Sequence, residues 1–488
     1  MAFSLSVALL SGQLVSLKVS DDTTMGKVRQ MAQSKMGRTL VALVSPCGTQ
    51  MDAFATVAES GLKDGAVLSA VSKAGPQVQS HRKASTFCAI CADGSVVTWG
   101  HRFHGGDSRG VSHQLRDVRQ IYATHKALAA VTADGFVVSW GHADHGGDSS
   151  AVQEKLVKVE RVFASMQAFA ALREDKTVVT WGHPSHGGDS SAVSHQLVDV
   201  QEVYSTEAAF AAVCSDRCVV TWGDDEQGGC PGDLLAQLVN VRCIAASGKA
   251  FAAVRSNGSV LSWGHPEYGG DGSAMKEQLV DVVSVRSSSG AFAAITSQGT
   301  VKTWGHALCG GDSRSVEACL VDVVEIYSSN KAFAAVTLHG TVVTWGHPLY
   351  GGESRSVHRH LVNVHQVYAA ETAFAAVRED GTVVTWGHPE YGGVSAAVEH
   401  QLRDVQTIQA SLGAFAALTA KGTVATWGHA AYGGDSSAVR EQLHDILEVH
   451  ASSGAFAAVR VDGAVITWGH PLSGGDSRSV RKQLTAQM

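Results

Sequence analysis

Two short apolar runs recur along most of this chain. Around residue 380 they read Ala373-Phe374-Ala375-Ala376-Val377 and Thr382-Val383-Val384-Thr385-Trp386, with Asp380-Gly381 between them. Runs rich in β-branched and aromatic residues, parted by Asp-Gly or Asn-Gly, predict a β-hairpin. Asp93-Gly94, Asp134-Gly135, Asn257-Gly258 and Asp462-Gly463 stand at the same place in other copies. A third run, such as Val405-Gln406-Thr407-Ile408-Gln409-Ala410 or Val200-Gln201-Glu202-Val203-Tyr204, alternates apolar with polar and predicts a half-buried strand. The stretch from Asp189-Ser190-Ser191-Ala192-Val193 to Gln196-Leu197 offers a serine cap and room for only one or two helical turns. The expected unit is three strands and a small helical connector, with Trp-Gly-His as the place for a fourth short strand.

The period of the pattern is fixed. All 10 tryptophans, Trp99, Trp140, Trp181, Trp222, Trp263, Trp304, Trp345, Trp386, Trp427 and Trp468, lie 41 residues apart. The aromatic of the alanine-rich run follows at Phe87, Phe169, Phe210, Phe251, Phe292, Phe333, Phe374, Phe415 and Phe456, with Leu128 in the second copy. Such regularity predicts one module per copy, each unable to bury its own faces and stabilised by stacking on its neighbours. The tryptophan and phenylalanine ladders are the expected core between modules. The flanking alanines mark where adjacent sheets approach closely, since larger side chains would overpack there.

These residues resemble the regulator of chromosome condensation repeat, which pairs an alanine-rich strand with a Gly-x-Val-x-x-Trp-Gly strand and a following glycine. The match covers roughly residues 77 to 488, and it implies a mainly β, propeller-like array of ten 41-residue repeats, assigned here to residues 76–488. The family usually closes seven blades and this chain holds ten, so one large ring, a smaller ring with extra blades and an open superhelix all fit the resemblance. A closed ring is expected over the superhelix because it removes exposed sheet edges. The last copy stops at Gln483-Leu484, and Gln77-Val78-Gln79-Ser80-His81-Arg82 stands ready as a strand to complete the final blade. Ser80 and Arg82 would then replace Ile408 and Ala410 of a better copy, so closure would rest on backbone pairing.

Residues 1–75 follow another pattern. Ser4 to Gly12 and Leu14 to Val19 alternate as a hairpin, Thr24 through Met36 reads as a helix carrying Met25, Val28, Met31 and Ala32, and Gly37 ends it. Leu40 to Val44 and a segment through Gly61-Leu62-Lys63-Asp64-Gly65 to Val71 supply later strands, an order suited to a small α+β β-grasp domain. The turn at Ser11-Gly12, the helix opened by Thr24 and the turn before the last strand resemble a ubiquitin-like domain. The resemblance implies an apolar interaction patch at Leu10, Val44 and Val71, with ubiquitin-pathway receptors as partners. Ordinary strand residues of a domain docked on the repeats are the alternative. Ser72-Lys73-Ala74-Gly75 carries no Arg-Gly-Gly terminus, so conjugation is not expected.

Composition narrows the setting. No apolar run approaches the roughly twenty residues that span a bilayer, and Met1-Ala2-Phe3-Ser4 lacks the basic start of a signal peptide. A net charge of −7 disfavours a broad nucleic-acid face, although Arg478-Ser479-Val480-Arg481-Lys482 is locally basic. Nine cysteines without a common spacing suit a reducing compartment. An intracellular protein, cytoplasmic or nuclear and without membrane or cofactor, is expected.

Three constellations are candidates for chemistry. Histidine follows Trp-Gly at His101, His142, His183, His265, His306, His347, His388, His429 and His470, and Gly-Gly-Asp follows at Asp107, Asp148, Asp189, Asp271, Asp312, Asp435 and Asp476. A site needs one asymmetric constellation, so a histidine bonded to the aspartate or backbone to hold the turn is expected over a ring of metal or proton sites. If the imidazoles line one rim, protonation near pH 6 would retune what binds there. In the fourth copy Asp224, Asp225 and Glu226 replace the histidine connector, near Cys214, Cys218, Cys230 and Cys243. No Cys-x-x-Cys pair supports zinc; an acidic, asymmetric partner-binding connector or neutral drift in one copy fits better. Catalytic machinery is the third: no phosphate-cradling loop, nucleophile elbow or isolated Cys-His arrangement is present. Ligases that join such propellers to a catalytic domain need several hundred further residues.

The expected protein is therefore a non-catalytic interaction scaffold or adaptor, binding protein partners through a propeller rim and linked to the ubiquitin pathway. The alternatives are a guanine nucleotide exchange regulator of a small GTPase, against which the lack of an inserted wedge argues, and a propeller-type enzyme inhibitor.

Overall fold

The computed structural model describes residues 2–9, 14–36, 40–46, 48–49, 51, 55–72, 76–91 and 94–485. Near the N-terminus, strand β1 (Ala2–Leu9), β2 (Leu14–Ser20), helix α1 (Met25–Met36), β3 (Leu40–Val44) and β4 (Val67–Ser72) form a four-stranded mixed sheet in the order β2-β1-β4-β3. β1 runs antiparallel to β2 and parallel to β4. Thr24 precedes the helix, and its Oγ1 accepts from Lys27 N at 3.3 Å. Met25, Val28 and Ala32 of the helix bury against Leu5, Val7, Leu17, Leu43 and Leu68, while Met31 is only partly buried against them. The helical face read from the sequence is the one that packs.

The remaining chain folds as ten three-stranded antiparallel sheets. The first consists of β5 (Gln77–Ser80), β6 (Thr86–Ile90) and β7 (Val96–Gly100), and Val364–Ala369, Ala373–Arg378 and Val383–Gly387 represent the others. The second strand is central, with Ala369 opposite Phe374 and Phe374 opposite Trp386. Asp380-Gly381 makes the expected tight turn, with Gly381 N donating to Arg378 O at 2.9 Å. Lys176 and Arg217 adopt the same positive φ, +64° each, where their copies lack the glycine.

Two expectations require correction. No fourth strand forms at Trp-Gly-His, because Gly387 turns out of the sheet at φ +109° and His388 enters a 3-10 turn, Pro389–Tyr391. A second 3-10 segment, Ala396–Gln401, completes the connector. The other correction concerns Gln77–Ser80, which pairs with β6 of its own sheet and not with the last one. First and second strands are joined by a tight loop within a sheet, whereas the long connector crosses to the next. Val78 faces Ala89 as Ile408 faces Ala417, and Ser80 faces Phe87 as Ala410 faces Phe415. Val78 and Ser80 are thus the counterparts of Ile408 and Ala410, two residues earlier than the period suggests, and His81 to Ser85 form a longer loop.

Alternation along the second strand decides how sheets stack. Ala332, Ala334 and Val336 of one sheet bury against Phe374, Ala376 and Trp386 of the next. Alanine faces phenylalanine across the junction, which is the close approach read from the sequence. Phe and Trp of one sheet stack with ring centroids 5.0 to 5.4 Å apart in nine repeats. Every tryptophan Nε1 also donates to a connector glycine carbonyl of another repeat, as Trp386 does to Gly351 at 3.0 Å.

The same contacts join the two ends of the array. Trp99 Nε1 donates to Gly474 O at 3.0 Å, and Phe87, Val78 and Trp99 bury against Ala455, Ala457 and Leu484. A chain of backbone hydrogen bonds links the loops between first and second strands, from His125 N to Met166 O and onward through Glu207, Gly248, Ser289, Asn330, Glu371, Leu412 and Ser453 to Ala84 O, at 2.8 to 3.2 Å.

Candidate interaction faces

Core positions are nearly alike in the ten repeats, so most of what distinguishes one repeat from another lies at exposed turn positions. One set of turns follows Trp-Gly. Each connector histidine holds its turn through the main chain: His388 N donates to Thr372 O at 2.9 Å, and its carbonyl accepts from Tyr391 N and Gly393 N. The imidazoles do little of this work. His306 and His429 accept a backbone N–H at Nδ1, each at 3.2 Å, and His183 Nδ1 lies 2.8 Å from Ser185 Oγ. The buried Nδ1 atoms of His101, His265, His347 and His388 have no hydrogen-bond partner among the described residues. Of the two expected forms, the bond to backbone is made at His306 and His429, and none to a Gly-Gly-Asp carboxylate occurs among the described residues. Asp148, Asp189, Asp271 and Asp435 accept instead from the N–H two residues on, each at 2.9 Å. A short polar side chain in a turn is nearest to that N–H, and the geometry follows.

Beside this row, burial holds four further imidazoles low. His104 is lowered to about 4, first by burial and then by His101, Lys126, His125 and His145. His125, His145 and His186 are shifted the same way, with burial the leading cause. Burial thus disfavours the charged form of all four. The folded state takes up the His104 proton only near pH 4, whereas the unfolded chain takes it up near ~6.5. Stability is therefore expected to fall as pH drops from about 6.5 to about 4, and to level off below. An imidazole NMR titration should put the His104 midpoint near 4. His104→Tyr, the residue at this place in the repeats of Tyr268, Tyr350, Tyr391 and Tyr432, should remove that part of the acid loss; a midpoint at the free-imidazole value would sink the assignment.

At the tips of these turns Phe103, Leu308, Leu349 and Leu472 are largely exposed, while Asp225 and Glu226 are exposed at the same turn of the fourth repeat. Asp224 is not a free surface carboxylate: its side chain accepts from Gln227 N at 3.0 Å and caps the turn. The acidic connector read from the sequence thus divides into one structural aspartate and two surface acids. Cys214 is buried, Cys230 is exposed, and no group of three or more possible metal ligands occurs among the described residues.

The turns before each first strand carry a feature that the sequence reading missed. Val198, Val239, Val280, Val321 and Val362 occupy one position in five consecutive repeats and are all exposed. Val283, Val324 and Leu338 are also exposed in the repeats in the middle of that run. Each valine precedes an Asp or Asn held at φ +52° to +57°, which turns the chain sharply into the strand. Val157, half-buried, stands at the position in the preceding repeat, and Arg116, Arg403 and His444 stand there in repeats beyond the run. Aligning the repeats column by column would have shown the row; reading the unit for its strands did not.

Of the N-terminal patch, Val44 is partly buried at the end of β3, paired with Ser69. Leu10 and the side chain of Val71 lie outside the described residues.

No protein-family model matches this chain, and no curated protein does. Among solved structures, yeast RCC1 (Prp20), crystallised with Kap60, is similar at 16% identity over 47% of this chain and 70% of its own, with a TM-score of 0.31. The ectodomain of the Physcomitrella patens receptor kinase CR4 is similar at 14% identity over 54% and 70%, also with a TM-score of 0.31. A de novo design based on ubiquitin matches 15% of this chain and 89% of its own at 14% identity, with a TM-score of 0.14.

Proposed function

We propose that this chain is a non-catalytic interaction scaffold, a ubiquitin-like β-grasp domain (residues 1–75) followed by a regulator of chromosome condensation-like propeller (residues 76–488) that closes as one ring of ten blades. The contacts of Trp99 and Phe87 with the last repeat, equivalent to those between consecutive repeats, support closure. The observation that carries the functional reading is the set of exposed valines from Val198 to Val362, at one position in five consecutive repeats, with Val283, Val324 and Leu338 exposed in the same stretch of repeats. Large apolar side chains gathered on a surface mark a protein-binding face, and a repeat scaffold places its function in such loop positions. The partner is a protein inside the cell.

The test is affinity capture from lysate with the full chain and with the double variant Val280→Asp and Val321→Asp, read by mass spectrometry. Partners bound by the parent and lost from the folded variant are expected. An unchanged set would remove this face from consideration. A Leu10→Ala, Val44→Ala, Val71→Ala variant examines the ubiquitin-pathway link in the same way: receptors that vanish with it support an adaptor, and receptors that persist exclude one. Capture of a small GTPase whose nucleotide release then accelerates would favour the exchange-factor alternative. Yeast Prp20 is described with binding properties to Gsp1p and histones.

A further inference from the structure

Three core positions break the repeat, and all three meet at one junction. The second strand begins with alanine at Ala127, Ala168 and the seven later equivalents, but with Thr86 in the first repeat. Two residues on, nine repeats again have alanine and the first has Cys88. In the second repeat Leu128 takes the place of the phenylalanine found in the other nine. Across a normal junction the two alanines face that phenylalanine. Here Thr86, Cys88 and Leu128 instead line the floor of a recess of about 210 Å³, open to solvent on the side of the half-exposed first strands, with His81, Tyr122 and Ala164 also on its wall.

Larger side chains on one wall and a smaller one opposite could be simple compensation, which would leave the junction full. It is not full, and one polar group is left open. Thr86 is only 2% exposed, and its Oγ1 has no hydrogen-bond partner among the described residues. The neighbouring polar groups are satisfied: Cys88 Sγ donates to Gln79 O at 3.4 Å, Gln79 Oε1 accepts from Ile121 N at 3.1 Å, and Ser80 Oγ donates to Ala451 O at 2.8 Å. A buried hydroxyl normally finds a partner. A water held there would need two to four polar contacts, and the groups beside Thr86 Oγ1 are already bonded to one another or to the main chain.

We propose that this junction binds a small neutral ring compound carrying one hydroxyl or carbonyl, the ring replacing the missing phenylalanine and the polar group meeting Thr86 Oγ1. Burial favours the uncharged forms of the groups around it, pushing the Cys88 thiol up to about 12 and the His81 imidazole down, with Lys83 and Arg82 adding to the latter. A charged ligand would be poorly served there.

Phenol is the probe, titrated into the full chain and followed by saturation-transfer NMR, with benzene as the apolar comparison. Saturable binding of phenol at one site is expected. Thr86→Val should weaken phenol about tenfold, the worth of one hydrogen bond, and leave benzene unchanged. The triple variant Thr86→Ala, Cys88→Ala, Leu128→Phe carries only residues that the other nine repeats use; it should melt cooperatively at or above the parent temperature and bind neither probe. Absence of phenol binding to the parent, or equal binding by the folded triple variant, overturns the proposal.

Discussion

Phe374→Ala is expected to destabilise the array by about 3–5 kcal/mol, the usual cost of emptying a large, fully buried aromatic site. Phe374 is completely buried, stacks on Trp386 with centroids 5.2 Å apart, and fills the space left by Ala332 and Ala334 of the preceding sheet. Neighbouring sheets cannot collapse into the gap without breaking the Trp386 to Gly351 bond, so relaxation is limited. Phe87→Ala should cost the same. Phe87 is equally buried, and the alanines it faces are Ala455 and Ala457, at the other end of the chain. In an open array Phe87 would sit on a free end, and its removal would be cheap. Urea unfolding of both variants separates the two cases: matched losses support the ring, and a loss below about 1 kcal/mol at Phe87 alone would sink it.

The second large effect belongs to the connector glycine. Gly351 sits at φ +89°, and a Cβ added there would lie 2.5 Å from Cδ2 of the Phe374 ring. Gly351→Ala therefore combines a left-handed backbone penalty of roughly 1–2 kcal/mol with overpacking of about 1–3 kcal/mol. Gly61→Ala is the control. Gly61 has φ +67° but nothing within 4 Å of the added carbon, so only the backbone penalty applies. Thermal melts should show the Gly351 variant clearly below the Gly61 variant in stability. Equal losses would mean that the Phe374 ring moves aside freely, contrary to its packing between two sheets.

These glycines explain why the repeat was so legible. Trp-Gly-His-x-x-x-Gly recurs because the tryptophan N–H needs a glycine carbonyl in the preceding connector and the phenylalanine that follows this glycine leaves no room for a Cβ. Both demands are local and identical in each copy, so they appear as a period. The alternating run ending at Tyr204, the alanine-phenylalanine strand and the Asp-Gly turn were readable for the same reason. The helix at Thr24 to Met36 was readable from its buried face, Met25, Val28 and Ala32.

The first repeat was misread by two residues because His81 to Ser85 lengthen a loop, and period counting is blind to where an insertion is absorbed. Only pairing with β6 shows that Val78, not Ser80, fills the place of Ile408. Asp224 looked like a free acid and is a cap, a difference set by one 3.0 Å bond to Gln227 N. The valine row is short in each copy, a single residue before a turn, and carries no periodic signal within the unit.

What the sequence determined by itself is the module: its three strands, its turn, its two aromatic ladders and the number of copies, since each depends on contacts within about forty residues or with an identical neighbour. Tertiary structure decided everything that depends on which copies meet. It brings Trp99 to Gly474 across 375 residues, leaves five valines of one repeat position exposed, and sets Thr86 and Cys88 against Leu128. Identical modules encode how to stack but not where the stack ends, and a departure in one copy acquires meaning only when its neighbour across the junction is known.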